Sequence, residues 1–505
     1  MSNENSRTLN SVKNVISNFS YQILLLLLGF VSRTVFIRIL SIEYLGIQGL
    51  FSDILNLLSM ADLGFNTAMT FSLYKPLANN DKKTISGLIT FYQRVYRIIA
   101  SSIFILGISV IPFLKYIINL KTDLPHIKLY YFLYLLNTVA SYLVVYKTTI
   151  LQADQKAYIV TKYSSFFSTL QTILMLFFLW VSHNFLVYLC VQVVFTYLTN
   201  FYISSVASKM YPYIDDKVKL PKSQTKGIFD NIKSVFIYKV SSVLINATDN
   251  ILISIIVGTV ATGLYSNYTM ITVKMTSLIN TVFYSLTSSL GNLIVKEGKE
   301  KRYQIFQVLQ AISNIFSIIC VTMVLFLVQD FIKLWLGSKY LLDNMVIYAI
   351  VLNFYFSISL LPIWVYREAT GLYNKIKYVM LSTAVINLIV SVILGNFIGL
   401  PGILFATSIS RVVTYFWYEP ILLFNNFFGH SSRVYFVAIM KSLGILSIVI
   451  ILCLFISMNI AVNSFITLIY KAFVLFLVSS GVSIIFYRNS DGFKYMKQKL
   501  IERFS

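Results

Sequence analysis

The chain is cut along almost its whole length into apolar runs long enough to cross a bilayer, and little else about it constrains the fold as strongly. A spanning helix needs about 20 such residues, while a barrel strand needs only about 9–11, so runs of this length specify helices. Fourteen spans are predicted: residues 14–40, 45–73, 87–114, 128–146, 158–182, 185–207, 231–257, 263–292, 304–328, 344–366, 377–397, 402–424, 434–457 and 464–486. With 57% hydrophobic and 12% charged residues and a mean hydropathy of +0.76, no water-facing surface could be built. The expected class is therefore an all-α polytopic membrane protein.

A net charge of +22 would suit nucleic acid if the cations formed one basic domain. Instead they fill short links between apolar runs. One side collects Arg7, Lys13, Lys75, Lys82, Lys83, Lys147, Lys156, Lys162, Arg367, Lys375, Lys377 and Arg433, the lysines of residues 209–233, the cluster from Lys296 to Arg302, and the tail after residue 487. The other side holds only Lys115, Lys121, Lys128, Lys333 and Lys339. The positive-inside rule then puts both termini in the cytoplasm, in agreement with an even number of spans. The polar start of the chain lacks a small-residue cleavage site after the first run, so that run reads as a retained helix. Links on the outer side are too short for a soluble catalytic domain. Cys190, Cys320 and Cys453 all lie within apolar runs and read as packing residues.

The chain carries an internal repeat. A shift of 217 residues places Gly46-Ile47 on Gly263-Leu264 and sets Gln22, Gly29 and Arg33 on Lys239, Asn246 and Asn250. A shift of 220 matches Tyr146-Lys147 with Tyr366-Arg367 and Tyr158 with Tyr378. Six spans per copy give both copies the same orientation, hence parallel repeats. The expected organisation is an N-lobe over residues 1–208, a solvated cytoplasmic connector over 209–230 and a C-lobe over 231–430. Two extra spans over 431–487 and a basic cytoplasmic tail over 488–505 follow.

The first span holds Arg33 deep in an apolar run, where a charge costs about 2.5–3.5 kcal/mol or more and usually faces a bundle interior or wet cavity. Asn18, Gln22, Gly29 and Arg33 share one helical sector. Span 7 repeats such a stripe with Lys239, Asn246 and Asn250, with Asp249 to one side; span 8 carries Asn267 and Lys274, and span 12 carries Arg411. Arg33, Lys239, Lys274 and Arg411 outweigh the buried acids Asp53, Asp62, Asp249 and Glu419. Such a cavity would draw an anion, and phosphate suits both arginine forks and lysine point charges. The competing reading is a set of packing ion pairs, Arg33 with Asp53 or Asp62 and a lysine with Asp249. Asp62 and Asp249 are also the carboxylates placed to bind a coupling proton or sodium ion. The sequence holds no nucleotide loop, zinc spacing or nucleophile with its base, so no cofactor, metal or enzymatic role is expected. His126, His183 and His430 stand singly at span ends.

Glu43-Tyr44-Leu45-Gly46, followed by Leu57-Leu58-Ser59-Met60-Ala61-Asp62-Leu63-Gly64, resembles the Wzx-like polysaccharide repeat-unit flippases of the multidrug/oligosaccharidyl-lipid/polysaccharide exporter superfamily. Asp249-Asn250 through Gly263-Leu264-Tyr265-Ser266-Asn267-Tyr268 is similar to the same family's junction between the seventh and eighth spans. The resemblance implies export of undecaprenyl-diphosphate-linked oligosaccharide, of capsule, O-antigen or exopolysaccharide type, across a bacterial plasma membrane by alternating access. Its implied partners are that substrate, membrane lipids and other polysaccharide assembly proteins. The related lipid II flippases imply a cationic central cavity, with the last two spans forming a groove for a lipid tail. A drug or ion antiporter of the superfamily would want a carboxylate-rich cavity, and a membrane polymerase or glycosyltransferase would want a large outer loop.

Overall fold

A computed structural model describes residues 2–62, 65–120, 124–220 and 222–504; Lys121 and the Leu63-Gly64 pair lie outside the described residues, as do the side chains of Asp62 and Asn246. The fold is all-α. In chain order the helices are α1 (Ser2–Ile39), α2 (Ile42–Leu58), α3 (Phe65–Ala78), α4 (Lys82–Val110), α5 (Leu114–Ile117), α6 (Ile127–Tyr142) and α7 (Val145–Ala153). Next come α8 (Ala157–Ser182), α9 (Phe185–Met210), α10 (Lys222–Leu252), α11 (Thr259–Ser285), α12 (Thr287–Lys296), α13 (Lys299–Trp335) and α14 (Asn344–Ser359). The chain ends through α15 (Leu361–Thr370), α16 (Tyr373–Ile398), α17 (Leu400–Val413), α18 (Tyr415–Leu423), α19 (Arg433–Met458), α20 (Phe465–Tyr487) and α21 (Asp491–Phe504).

Among the described residues, ten helices are long and apolar enough to cross a membrane, and twelve if each of two bent pairs counts as one span. The pairs are α6–α7, bent by 46°, and α14–α15, bent by 43°. Pro362 at the start of α15 accounts for the second bend, because it supplies no N–H to the preceding turn. The apolar runs expected at 45–73 and 402–424 are broken helices: α2 passes into a 3₁₀ turn at Ser59–Asp62, and α17 stops at Thr414, whose φ of −117° and ψ of −102° are not helical.

The sequence repeat recurs in the helix boundaries. Ile42 and Thr259, Lys82 and Lys299, and Ile127 and Asn344 are each 217 residues apart and each begin a helix. The α6–α7 and α14–α15 bends fall at the same offset, between residues 142 and 145 and between residues 359 and 361.

The chain divides into two compact units, Met1–Gly263 and Leu264–Ser505. In the first, α1 packs on α8, α8 and α6 pack on α9, and α10 packs on α2 and α3. On α1 the residues Ile16, Phe19, Ile23, Leu27 and Val31 form an exposed apolar stripe, the inverse of a soluble helix and the face a bilayer would solvate. Gly46 and Gly263 make a reciprocal close approach: a Cβ on Gly46 would lie 2.0 Å from the Thr259 carbonyl oxygen, and one on Gly263 would lie 2.6 Å from that of Ile42. Ile42 and Thr259 are themselves partners in the repeat, so equivalent turns face each other and only glycine fits at either.

Residues 211–220 are anchored to the protein at Tyr211 and Ile214, while Pro212, Asp215, Asp216, Lys217 and Lys219 remain exposed. Tyr211 and Ile214 are buried, and Ser86 and Thr90 on α4 donate to the Asp216 carbonyl at 2.5 and 3.2 Å. The Tyr211 hydroxyl donates to Asp154 at 2.5 Å and accepts from Lys156 at 3.0 Å. Two polar groups of this segment, the Tyr211 hydroxyl and the Asp216 carbonyl, thus make four contacts with the α7–α8 turn and α4.

In the second unit α13 is the central helix, packed by α14, α19, α20 and α21, while α16 and α14 pack on α17. Tyr268 of α11 donates to Gln329 of α13 at 2.6 Å, and both are tied to Leu342 in the following link. Lys471 of α20 pairs with Asp330 of α13 at 2.8 Å.

Candidate functional site

In the first unit the sequence-derived site residues whose side chains are described fall on two helices. Gln22 and Arg33, both half-buried, lie on α1, and Lys239, Asp249 and Asn250, also half-buried, lie on α10. Arg33 is within electrostatic reach of the hydroxyls of Tyr134 on α6 and Tyr188 on α9, and both tyrosines are almost fully buried. A wall of rings adjoins them: Phe36 meets Tyr188 at 5.3 Å and Phe185 at 5.7 Å, and Phe51 meets Tyr134 at 5.7 Å between ring centroids. The guanidinium thus sits near two phenols whose rings pack into a cluster of aromatic side chains. Tyr134 and Tyr188 escaped the sequence reading because aromatics in membrane spans most often serve packing and interfaces.

On α10 the Asn250 amide donates to the Asp53 carboxylate of α2 at 2.6 Å. Asp53 is thereby held by a neutral amide from the helix that opens the second sequence repeat. Ser254, one turn further on, donates to the Ile117 carbonyl at 2.9 Å, and Thr259 ties to the backbone of Asn119. This end of α10 is therefore anchored to the link after α5.

The second unit holds Lys274 on α11 and Arg411 on α17. Lys274 is half-buried. Arg411 is buried, with Nη1 reaching the Asn353 carbonyl at 3.5 Å. Asn353 itself joins α14 to α17, donating to the Leu404 carbonyl at 2.8 Å and accepting from Ser408 at 2.8 Å. Arg411 is thus seated at a packed helix contact. A further buried cation lies where the sequence places a link: Arg367 Nη1 donates to Glu419 at 2.9 Å, and both side chains are under a tenth exposed. Glu419 was legible as a buried acid, but its partner required the fold.

Two units of long apolar helices with paired bends, polar groups set inside apolar helices and exposed apolar stripes are the architecture of a multi-pass membrane protein. A solved structure described as "Lipid II flippase MurJ, inward closed conformation" matches with a TM-score of 0.67 at 16% identity, covering 95% of this chain and 99% of that one. An inward-facing multidrug-resistance MATE transporter of the MOP superfamily matches with a TM-score of 0.61 at 14% identity over 85% of this chain and 99% of that one. A MOP superfamily transporter from Pyrococcus furiosus, whose description reports a binding pocket of reverse polarity, gives a TM-score of 0.54 at 10% identity over 81% and 94%. The fold is that of the flippases and transporters of this superfamily. Residues 11–287, more than half of the chain, match the family described as "Polysaccharide biosynthesis protein", and the chain belongs to that family. Comparison with curated proteins gives no match.

Proposed function

We propose that the protein flips undecaprenyl-diphosphate-linked oligosaccharide repeat units across the bacterial plasma membrane, with both termini cytoplasmic, acting as a transporter without catalysis. The observation that carries this reading is Arg33, an arginine within an apolar helix and within electrostatic reach of Tyr134 and Tyr188 in the first unit, in a chain of the polysaccharide biosynthesis family. The diphosphate engages Arg33, Lys239, Lys274 and Arg411, with Gln22 and Asn250 as amide partners, and the sugars stack on neighbouring aromatic faces. The two six-span lobes alternate access around this site, and Asp62 and Asp249 take up the coupling proton or sodium ion.

A strain lacking the protein should accumulate lipid-linked repeat unit on the cytoplasmic leaflet, and the wild-type gene should clear it. Neutral replacements Arg33→Gln, Lys239→Gln, Lys274→Gln and Arg411→Gln should each abolish clearance at unchanged membrane abundance. Arg33→Lys keeps the charge but loses the planar fork, so it should retain only a fraction of the transport. Clearance by all four neutral variants would overturn the anion site. Asp62→Asn and Asp249→Asn should together abolish dependence on imposed proton or sodium gradients.

A further inference from the structure

The second unit contains a pocket that the transport reading does not use. It has a volume of about 370 Å³ and lies where α13 and α19 begin and α20 ends, at the low end of the range for small-molecule sites. Tyr303 and Gln310 of α13, Tyr435 and Lys441 of α19 and Asp491 of α21 line it. Its floor is preformed, because α21 is docked directly on α13: a Cβ on Gly492 would lie 2.3 Å from the Gln307 carbonyl oxygen.

Three buried side chains on its wall, Gln310, Tyr435 and Tyr487, have polar atoms without a hydrogen-bond partner among the described residues, and the first two carry the argument. Gln310, 5% exposed, spends its amide N–H on Asn314 at 3.0 Å, but its Oε1 is unmatched; the hydroxyl of Tyr435, 2% exposed, is unmatched as well. A buried polar atom is expensive to leave unmade, so both point to a ligand. Their chemistry defines it. Gln310 Oε1 only accepts and the Asp491 carboxylate calls for a positive charge, while the aromatic faces of Tyr303 and Tyr435 suit a cationic donor. Lys441 calls for a negative group in the same ligand. On the rim Val434 and Val437 of α19 are 47% and 66% exposed, on a helix apolar enough to cross the membrane, so the ligand's remainder is apolar.

We propose that this pocket holds the headgroup of an aminophospholipid, with the ammonium among Gln310, Tyr435 and Asp491, the phosphate on Lys441 and the acyl chains along α19. The charge pairing favours a zwitterion over an anionic lipid, and the site stands independently of the transported substrate.

Full-length protein in detergent, reloaded with phosphatidylethanolamine or phosphatidylglycerol and read by native mass spectrometry, tests this. Phosphatidylethanolamine should be retained at least about tenfold better, the scale of one charge-assisted hydrogen bond. The double variant Gln310→Leu with Tyr435→Phe should fall to the phosphatidylglycerol level, while its lipid-free melting temperature stays level or rises, because it removes unmatched buried groups. If that variant does not fold, Lys441→Gln on the rim should still lower retention several-fold. Equal retention of the two lipids, or wild-type retention by the variants, would overturn the site. Displacement of the lipid by soluble phosphoethanolamine at equal concentration would overturn a lipid as its occupant.

Discussion

The two halves of the repeat solve the same local problem at opposite depths. After the bend in each, a tyrosine and then a cation begin to tie the short helix to its neighbours. In the first half Tyr146 accepts from Gln93 of α4 at 2.7 Å, and Lys147 pairs with Asp215 at 2.5 Å, with side chains 21% and 49% exposed. In the second, Tyr366 donates to the Arg302 carbonyl of α13 at 2.9 Å, and Arg367 pairs with Glu419 with side chains 7% and 3% exposed. One motif thus produces a wet pair and a dry one. The difference is taught by the surroundings: Asp215 lies on the docked connector at the surface, whereas Glu419 lies on α18 against α15. In the dry case a single guanidinium nitrogen, Nη1, contacts both carboxylate oxygens, at 2.9 and 3.1 Å.

Breaking the dry pair should have the largest effect. Arg367→Met strands Glu419 and should cost about 3–5 kcal/mol, read as lost membrane abundance or a lowered detergent melting temperature. The double variant Arg367→Met with Glu419→Leu should recover most of that loss. A single variant that melts normally would erase the contrast between the halves.

The reciprocal glycines come next. Gly46→Ala and Gly263→Ala each force a Cβ onto a carbonyl oxygen, at 2.0 and 2.6 Å, and should each cost about 1–3 kcal/mol in melting experiments, with Gly46 the more sensitive. A smaller loss of about 0.5–1.5 kcal/mol is expected for Tyr366→Phe, which gives up one hydrogen bond while keeping the ring. Lys147→Met should fall at about 0–1 kcal/mol and disappear in high salt, because its pair is solvated. A loss there as large as that of Arg367→Met would show that exposure is not what separates the two motifs.

The smallest expected effect is on helix starts. Asp81 caps α4, and the hydroxyl and then the backbone N–H of Thr84 hold its carboxyl below the usual carboxylate range. A depressed acid stabilises above its unfolded pKa and loses that contribution as pH falls through the lower folded value. The equivalent α13 begins after Gly298, which has no side chain to titrate. Hydrogen exchange, corrected for intrinsic rates, should therefore show acid fraying in the first turn of α4 and none from a cap at α13.

Much of this molecule was determined by sequence because membrane helices are set by local rules. Apolar length places a span, and a recurring offset marks equivalent starts such as Ile42 and Thr259, since each helix satisfies its own backbone bonds. Arg33 was legible for the same reason, a charge being conspicuous in an apolar run. Only the tertiary structure decided which charge meets which. Arg367 looks like a link residue until Glu419 closes over it, only the fold brings Tyr211 of the connector to Asp154, and Tyr134 and Tyr188 look like packing until the fold sets them within electrostatic reach of Arg33. Those outcomes depend on side chains from helices far apart in sequence, and a charge's energy is set by the dielectric and partners around it rather than by its neighbours along the chain.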